Sequence, residues 1–74
     1  MFEKRKITKE IKKCQKTIEE IEKKRARSQA ALVQAVLLQE KTNDADVEWF
    51  NKYTGEITAC RNRMLELKEE LKKL

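Results

Sequence analysis

Cysteines, acidic residues and basic residues are the side chains in this 74-residue sequence that could do chemistry. Cys14 and Cys60 stand alone rather than in a Cys-x-x-Cys pair, and there is no histidine to serve as a general base or a metal ligand. The single glycine excludes a glycine-rich phosphate loop, and no pair of carboxylates lies in an apolar setting. The sequence therefore predicts a protein that is not an enzyme and that uses no metal or cofactor.

The basic residues offer a different chemistry, which is the binding of phosphate groups. The formal net charge is +5, and residues 1–27 hold 11 basic and 5 acidic side chains, whereas residues 28–50 hold 1 and 4. Such a basic arm can bind nucleic acid, although Phe2 is its only aromatic residue and its glutamates dilute the charge. The candidate contacts for this alternative function are Lys9, Lys12, Lys13, Lys16, Lys23, Lys24 and Arg27.

Apolar side chains around residues 30–38 form the main candidate interaction site. This segment is apolar on nearly every face, and one neighbouring helix can cover only one of them. An exposed apolar patch on a small protein usually marks an interface. We therefore expect a homodimer, with another helical protein as a further candidate partner. The residues predicted to form this interface are Ala30, Val33, Val36, Leu37, Leu38, Val47 and Trp49.

A heptad pattern predicts the two helices that carry these sites. Apolar residues recur at alternating steps of three and four along both halves of the chain, as the a and d positions of an antiparallel coiled coil do. Arg25 and Ser28 occupy two of these positions and are expected to form a polar layer that sets the register. The predicted hairpin core is Ile11, Cys14, Ile18, Ile21, Leu32, Ala35, Phe50, Tyr53, Ile57, Cys60, Met64, Leu67 and Leu71.

The two stripes mirror each other across a short polar turn. Facing positions are predicted to sum to 85, which sets Ala35 against Phe50 and Cys60 against Arg25. We predict one hairpin over residues 1–74, with helix 1 at about 6–40, a turn at 41–43 and helix 2 at about 44–73. In this register the two cysteines lie too far apart for an intrachain disulfide. A break of helix 2 near Gly55 is the alternative to a continuous helix.

The predicted fold class is all-α, an antiparallel two-helix coiled-coil hairpin that dimerises into a four-helix bundle. Two helices alone bury a small core, so association is the expected source of further stability. In length and periodicity the chain is similar to small helical hairpins such as the plasmid RNA-binding Rop dimer, with no shared motif. The sequence has neither a long apolar run nor a signal-peptide core, so we expect a cytoplasmic protein that does not bind membranes.

Overall fold

A computed structural model describes residues 2–74 and contains two α-helices that pack side by side as a hairpin. Helix α1 spans Phe2–Leu37 and helix α2 spans Asp44–Lys73. The hairpin measures 56 × 16 × 14 Å, which is the length of α1 by the thickness of one or two helices. The predicted all-helical hairpin is therefore confirmed, and Met1 lies outside the described residues.

The bounds of α1 differ from those predicted at both ends. The helix begins at Phe2 rather than near residue 6, and it ends at Leu37 rather than near residue 40. Gln39 stops it by adopting a left-handed conformation with φ of 56°. The Gln39 N–H donates to the Val36 carbonyl at 3.1 Å and the Glu40 N–H donates to the Ala35 carbonyl at 2.8 Å, which is the Schellman pattern. Glycine usually fills this position, and its absence hid the helix end from sequence inspection.

Helix α2 begins at a polar cap and runs unbroken to its end. The Asn43 side chain accepts a hydrogen bond from the Ala45 N–H at 2.9 Å, as an N-cap residue does. Asp44 and Asp46 lie in the first turn, and Lys72 and Lys73 lie in the last, where each suits the helix dipole. The helix continues through Gly55, so the alternative of a break there is wrong.

The helices meet along the predicted seam. Ile18, Ile57 and Leu67 are buried, and Ile57 and Leu67 are each only 1% exposed. Ser28 is also buried, and no buried polar side-chain atom within residues 2–74 lacks a hydrogen-bond partner. All the other predicted core residues are half-buried. The narrow seam leaves most of each helix surface open to water.

The register across the seam differs from the predicted one by about one heptad. Arg61 pairs with Glu22 at 3.2 Å and Arg63 pairs with Glu10 at 3.3 Å, so their position numbers sum to 83 and 73 rather than 85. Glu22 and Arg61 are both e positions and Glu10 and Arg63 are both g positions, so the two pairs flank the seam on opposite sides. Because the two pairs lie on opposite sides of the seam, the mean of their two sums, 78, estimates the sum for directly facing positions.

Burial at the open end of the hairpin agrees with this corrected register. Ile7, which has no partner when positions sum to 85, is half-buried, whereas Leu74, which would then face Ile11, is 51% exposed. A shift of seven places again sets apolar residues against apolar residues, so the heptad pattern alone cannot exclude it. The end of α1 at Leu37 selects the observed register, because the chain then reverses direction earlier in the sequence than the predicted turn at 41–43.

The corrected register also changes the relation between the two cysteines. Cys14 lies near the level of Met64 and Cys60 near the level of Ile18, so the cysteines are about four residues apart rather than eleven. Four residues correspond to about 6 Å along a helix. Both thiols are free and half-buried, and both line one shallow depression together with Thr17.

Candidate interaction surfaces

Exposed apolar side chains are concentrated at the closed end of the hairpin. Nine large hydrophobic residues within residues 2–74 are exposed, and six of them lie between Val33 and Trp49. Val36 is 68% exposed and Leu37 is 77% exposed, although both belong to a regular helix. Side chains held in this way by a helix cannot turn away from water, so this surface is a candidate for burial by a partner.

The predicted interface residues lie on two sides of the hairpin. On α1, Ala30 and Leu37 occupy f positions, Val33 a b position and Val36 an e position, so they form one continuous surface beside the seam. Val47 is an e residue of α2 and flanks the seam on the same side as Val36. We call this surface the tip patch, and it consists of Ala30, Val33, Val36, Leu37 and Val47.

Trp49 lies on the other side of the seam, away from the tip patch. It is a g residue of α2, whereas Leu38, another predicted interface residue, lies just beyond the end of α1. The Trp49 ring stacks on the Tyr53 ring with centroids 5.5 Å apart, and the Lys52 ammonium lies 4.9 Å from the Trp49 centroid. These contacts from its own helix leave Trp49 46% exposed. Its indole is thus held in place but still open on its outer side.

The polar layer lies between the tip and the arms. The Arg25 guanidinium is 5.9 Å from the centre of the Phe50 ring, within the range of a cation–π contact. Arg25 is half-buried and the neighbouring Ser28 is buried. The arginine therefore covers an aromatic ring of the opposite helix with its charged group instead of facing Cys60, as the predicted register required.

The arms of the hairpin, defined here as residues 2–27 and 56–73, carry charged side chains on their outer surfaces. All seven candidate nucleic-acid contacts of α1 are exposed. The cross-helix ion pairs instead use two arginines of α2, Arg61 and Arg63, with Glu22 and Glu10 of α1. The hydrogen bond that the Arg63 guanidinium donates to the Glu66 carboxylate and the negative charge of Glu10 raise the pKa of Arg63 above its ordinary value. The glutamates of α1 are thus partly neutralised by α2.

Other kinds of site are not formed by residues 2–74. No group of three or more cysteine and carboxylate side chains in this range is arranged to hold a metal ion. Neither described helix has a stretch long and apolar enough to cross a membrane. The depression beside Cys14 and Cys60 is shallow and also lined by Glu10, Lys13 and Thr17.

Comparisons with protein-family models, with curated proteins and with solved structures found no match to this chain. Its function is therefore inferred from its own two outer surfaces, the apolar tip and the basic arm. These surfaces adjoin each other on the same helix, because the tip patch begins at Ala30 and the last candidate phosphate contact is Arg27.

Proposed function

We propose that this protein is a non-enzymatic assembly module in which two hairpins pack through their tip patches to form a four-helix bundle. The observation that carries the proposal is the clustering of exposed apolar side chains on one helical surface, Val33, Val36 and Leu37 above all. Removing a large apolar side chain from water contributes on the order of 1.5–3 kcal/mol when burial is complete. A narrow two-helix seam contributes little free energy of folding by itself. Burial of the patch would therefore supply a large share of the stability available to the chain.

A second copy of the chain is the occupant that best fits the patch. A surface that pairs with itself about a two-fold axis closes after two copies, and most soluble oligomers are homo-oligomers of this kind. Val33 lies near the middle of the patch residues of α1, which suits a position on the axis. With Val33 there, Ala30 of one copy packs near Leu37 of the other.

Charge favours an antiparallel arrangement of the two hairpins, in which their arms point in opposite directions. The tip carries Glu40, Asp44, Asp46 and Glu48 with few basic residues, whereas the arm beside the patch carries Lys23, Lys24 and Arg27. An antiparallel overlap brings the acidic tip of each copy to the basic residues of the other. A parallel dimer would set the two acidic tips side by side and the two basic arms side by side, and both contacts are repulsive.

Sedimentation equilibrium on the purified protein tests the assembly itself. We expect the mass of a dimer, or of a higher oligomer, over a wide range of protein concentrations, with folded monomer absent or rare. A well-folded monomer over that range would refute self-association and would assign the tip patch to a different protein.

Single-cysteine cross-linking tests the orientation. In a background with Cys14→Ala and Cys60→Ala, Val33→Cys should form a disulfide-linked dimer, because position 33 faces itself in the antiparallel arrangement. Ala30→Cys and Leu37→Cys should each cross-link poorly alone and efficiently when mixed. Efficient self-linking at positions 30 and 37 would show a parallel dimer, which would leave the assembly proposal standing and remove the antiparallel one.

A further inference from the structure

The back of α1 carries a line of basic side chains that neither the seam nor the tip patch uses. The c and f positions of this helix face away from the seam, and from residue 6 to residue 27 only Glu20 among them is not basic. This line spans 21 residues, or about 31 Å of helix. We call it the cationic stripe, and it consists of Lys6, Lys9, Lys13, Lys16, Lys23 and Arg27, all of which are exposed.

The structure separates the cationic stripe from part of the acidic charge of the same helix. Glu10 and Glu22 lie beside the seam, where they pair with Arg63 and Arg61 of α2. Four ion pairs are formed within residues 2–74, and none of them includes a residue of the stripe. The dilution of positive charge that the sequence suggests is therefore weaker on this surface than a count of glutamates implies.

We propose that the cationic stripe binds the phosphate backbone of a double-stranded nucleic acid without reading its bases. Six positive charges along about 31 Å of helix, interrupted only by Glu20, suit a regular row of phosphates, which recur about every 3.4 Å along each strand of a duplex. The stripe contains no aromatic side chain, and stacking on aromatics is how proteins commonly hold single strands. It also contains no asparagine or glutamine, the side chains that recognise adenine by paired hydrogen bonds.

An anionic membrane suits this surface less well. A helix that lies on a membrane inserts an apolar face beside its basic one. The apolar face of α1 in this region is the seam, and α2 covers it, as the burial of Ile18 shows. Binding by the stripe needs no dimer. In the antiparallel dimer proposed above, Lys23 and Arg27 of each copy lie beside the acidic tip of the other copy, and the remaining four lysines of each stripe stay open for binding.

Fluorescence anisotropy with the full chain and labelled 20-base-pair DNA and RNA duplexes tests the inference. The stripe variant combines Lys9→Gln, Lys13→Gln and Lys16→Gln. Its matched control combines Lys68→Gln, Lys72→Gln and Lys73→Gln, which removes the same charge from the same end of the hairpin but from the other helix. Circular dichroism checks that both variants remain helical.

We expect the unmodified protein to bind duplex with an affinity that falls steeply as salt rises, since each neutralised phosphate releases counterions. The stripe variant should lose roughly tenfold or more in affinity. Its slope of log affinity against log salt concentration should be shallower by about 2–3, because each contact removed takes about 0.9 from that slope. The control should stay within about threefold of the unmodified protein.

Three results would overturn the inference, and the DNA and RNA arms identify which duplex is preferred. Equal losses in the two variants would mean that net charge alone drives binding. Binding as tight to a 20-nucleotide single strand, or to vesicles containing phosphatidylserine, would assign the stripe to a different anion. A flat titration at low salt would remove polyanion binding altogether, while sedimentation would still report independently on the proposed dimer.

Discussion

The outer surface of α1 changes from basic to apolar near residue 28, whereas the seam beneath it is apolar on both sides of the polar layer formed by Arg25 and Ser28. From Lys6 to Arg27 this surface is basic, and from Ala30 to Leu37 it is apolar. Along both stretches the inner face is partly buried against α2. The two regions therefore contribute to folding of the hairpin in the same way. They differ only in the outer surfaces that they present to water or to a partner.

This difference predicts that a partner would stabilise the apolar region, whereas the basic region does not require one. Lysine side chains are well solvated, so the basic region is stable in water without any ligand. Val33, Val36 and Leu37 lose free energy for as long as they remain wet. Assembly at the tip should therefore be tight and should support folding, whereas binding at the arm should depend on salt and should leave stability nearly unchanged.

The largest expected effect comes from putting charge on the apolar region. Val33→Glu combined with Leu37→Glu should give a monomer that is largely unfolded, because two buried carboxylates would oppose each other across the two-fold axis. Sedimentation equilibrium and circular dichroism measure both consequences. The same charges at Lys12 and Lys16 should leave the assembly intact. A folded dimer of the first variant would place the interface elsewhere.

Alanine at a buried seam position should lower the free energy of unfolding substantially, although by less than the two glutamates do. Leu67 is 1% exposed, so Leu67→Ala should lower the free energy of unfolding by about 2–4 kcal/mol through lost burial and a residual cavity. Urea titration at a fixed protein concentration measures the change. Leu65→Ala, at a side chain that is 60% exposed, is the control and should change stability by less than about 0.5 kcal/mol. Similar losses at both positions would mean that the arms are also covered in the assembly.

The end of α1 offers a stabilising change. Gln39 holds a left-handed conformation that costs a non-glycine residue about 1 kcal/mol, so Gln39→Gly should raise the free energy of unfolding by up to that amount. The urea midpoint should rise at an unchanged slope. If stability falls instead, the Gln39 side chain makes a contact in the assembly that outweighs its backbone strain, and the interface extends beyond the tip patch.

A second stabilising change probes the outer surface of α2. Gly55 lies inside the helix, and a Cβ there would meet no other atom within 4 Å, so Gly55→Ala should add about 0.5–1 kcal/mol. Thermal unfolding at several protein concentrations separates folding from assembly. A loss of dimer in this variant would show that the second copy approaches α2 at this point, which the proposed contact through α1 does not allow.

The smallest expected effect concerns the ion pairs that flank the basic region. The Glu22 side chain is 42% exposed and its partner Arg61 is 61% exposed, so Glu22→Gln should cost only about 0.2–0.5 kcal/mol, and less at high salt. Urea titrations at low and high salt measure this cost. A change above about 1 kcal/mol that persists at high salt would mean that the pair is buried in the assembly, and the boundary between the two regions would then move toward the arm.

The hairpin itself was predictable because the signals that specify it are local and repeated. Apolar residues at alternating steps of three and four mark the seam from Ile11 onward and again from Phe50, and Asn43 is a recognisable N-cap. The clustering of apolar side chains at the tip was equally visible, because a helix that is apolar beyond its seam cannot be covered by one neighbour.

Three predictions were wrong: the two ends of α1, the register across the seam, and the surface on which Trp49 lies. A heptad pattern repeats, so a shift of seven residues satisfies it as well as the true register does, and only the geometry of the chain reversal selects one. That reversal depends on Gln39, a residue type that gives no sequence signal for a left-handed conformation. Val47 and Trp49 were predicted to belong to one interface because the tip is apolar on nearly every side. Their e and g positions instead place them on opposite sides of the seam.

By itself, the sequence determined that the chain forms two amphipathic helices, which residues face inward and which end of the hairpin is basic. These properties depend on the type of each residue and on a 3.5-residue period that any stretch of helix expresses locally. The tertiary structure alone decided which residues face each other across the seam, and hence that Arg61 and Arg63 draw Glu22 and Glu10 away from the cationic stripe. The physical reason is that contacts between helices depend on where the chain turns. Moving the turning point by half a heptad shifts the facing residue at every level by seven positions, or about 10 Å.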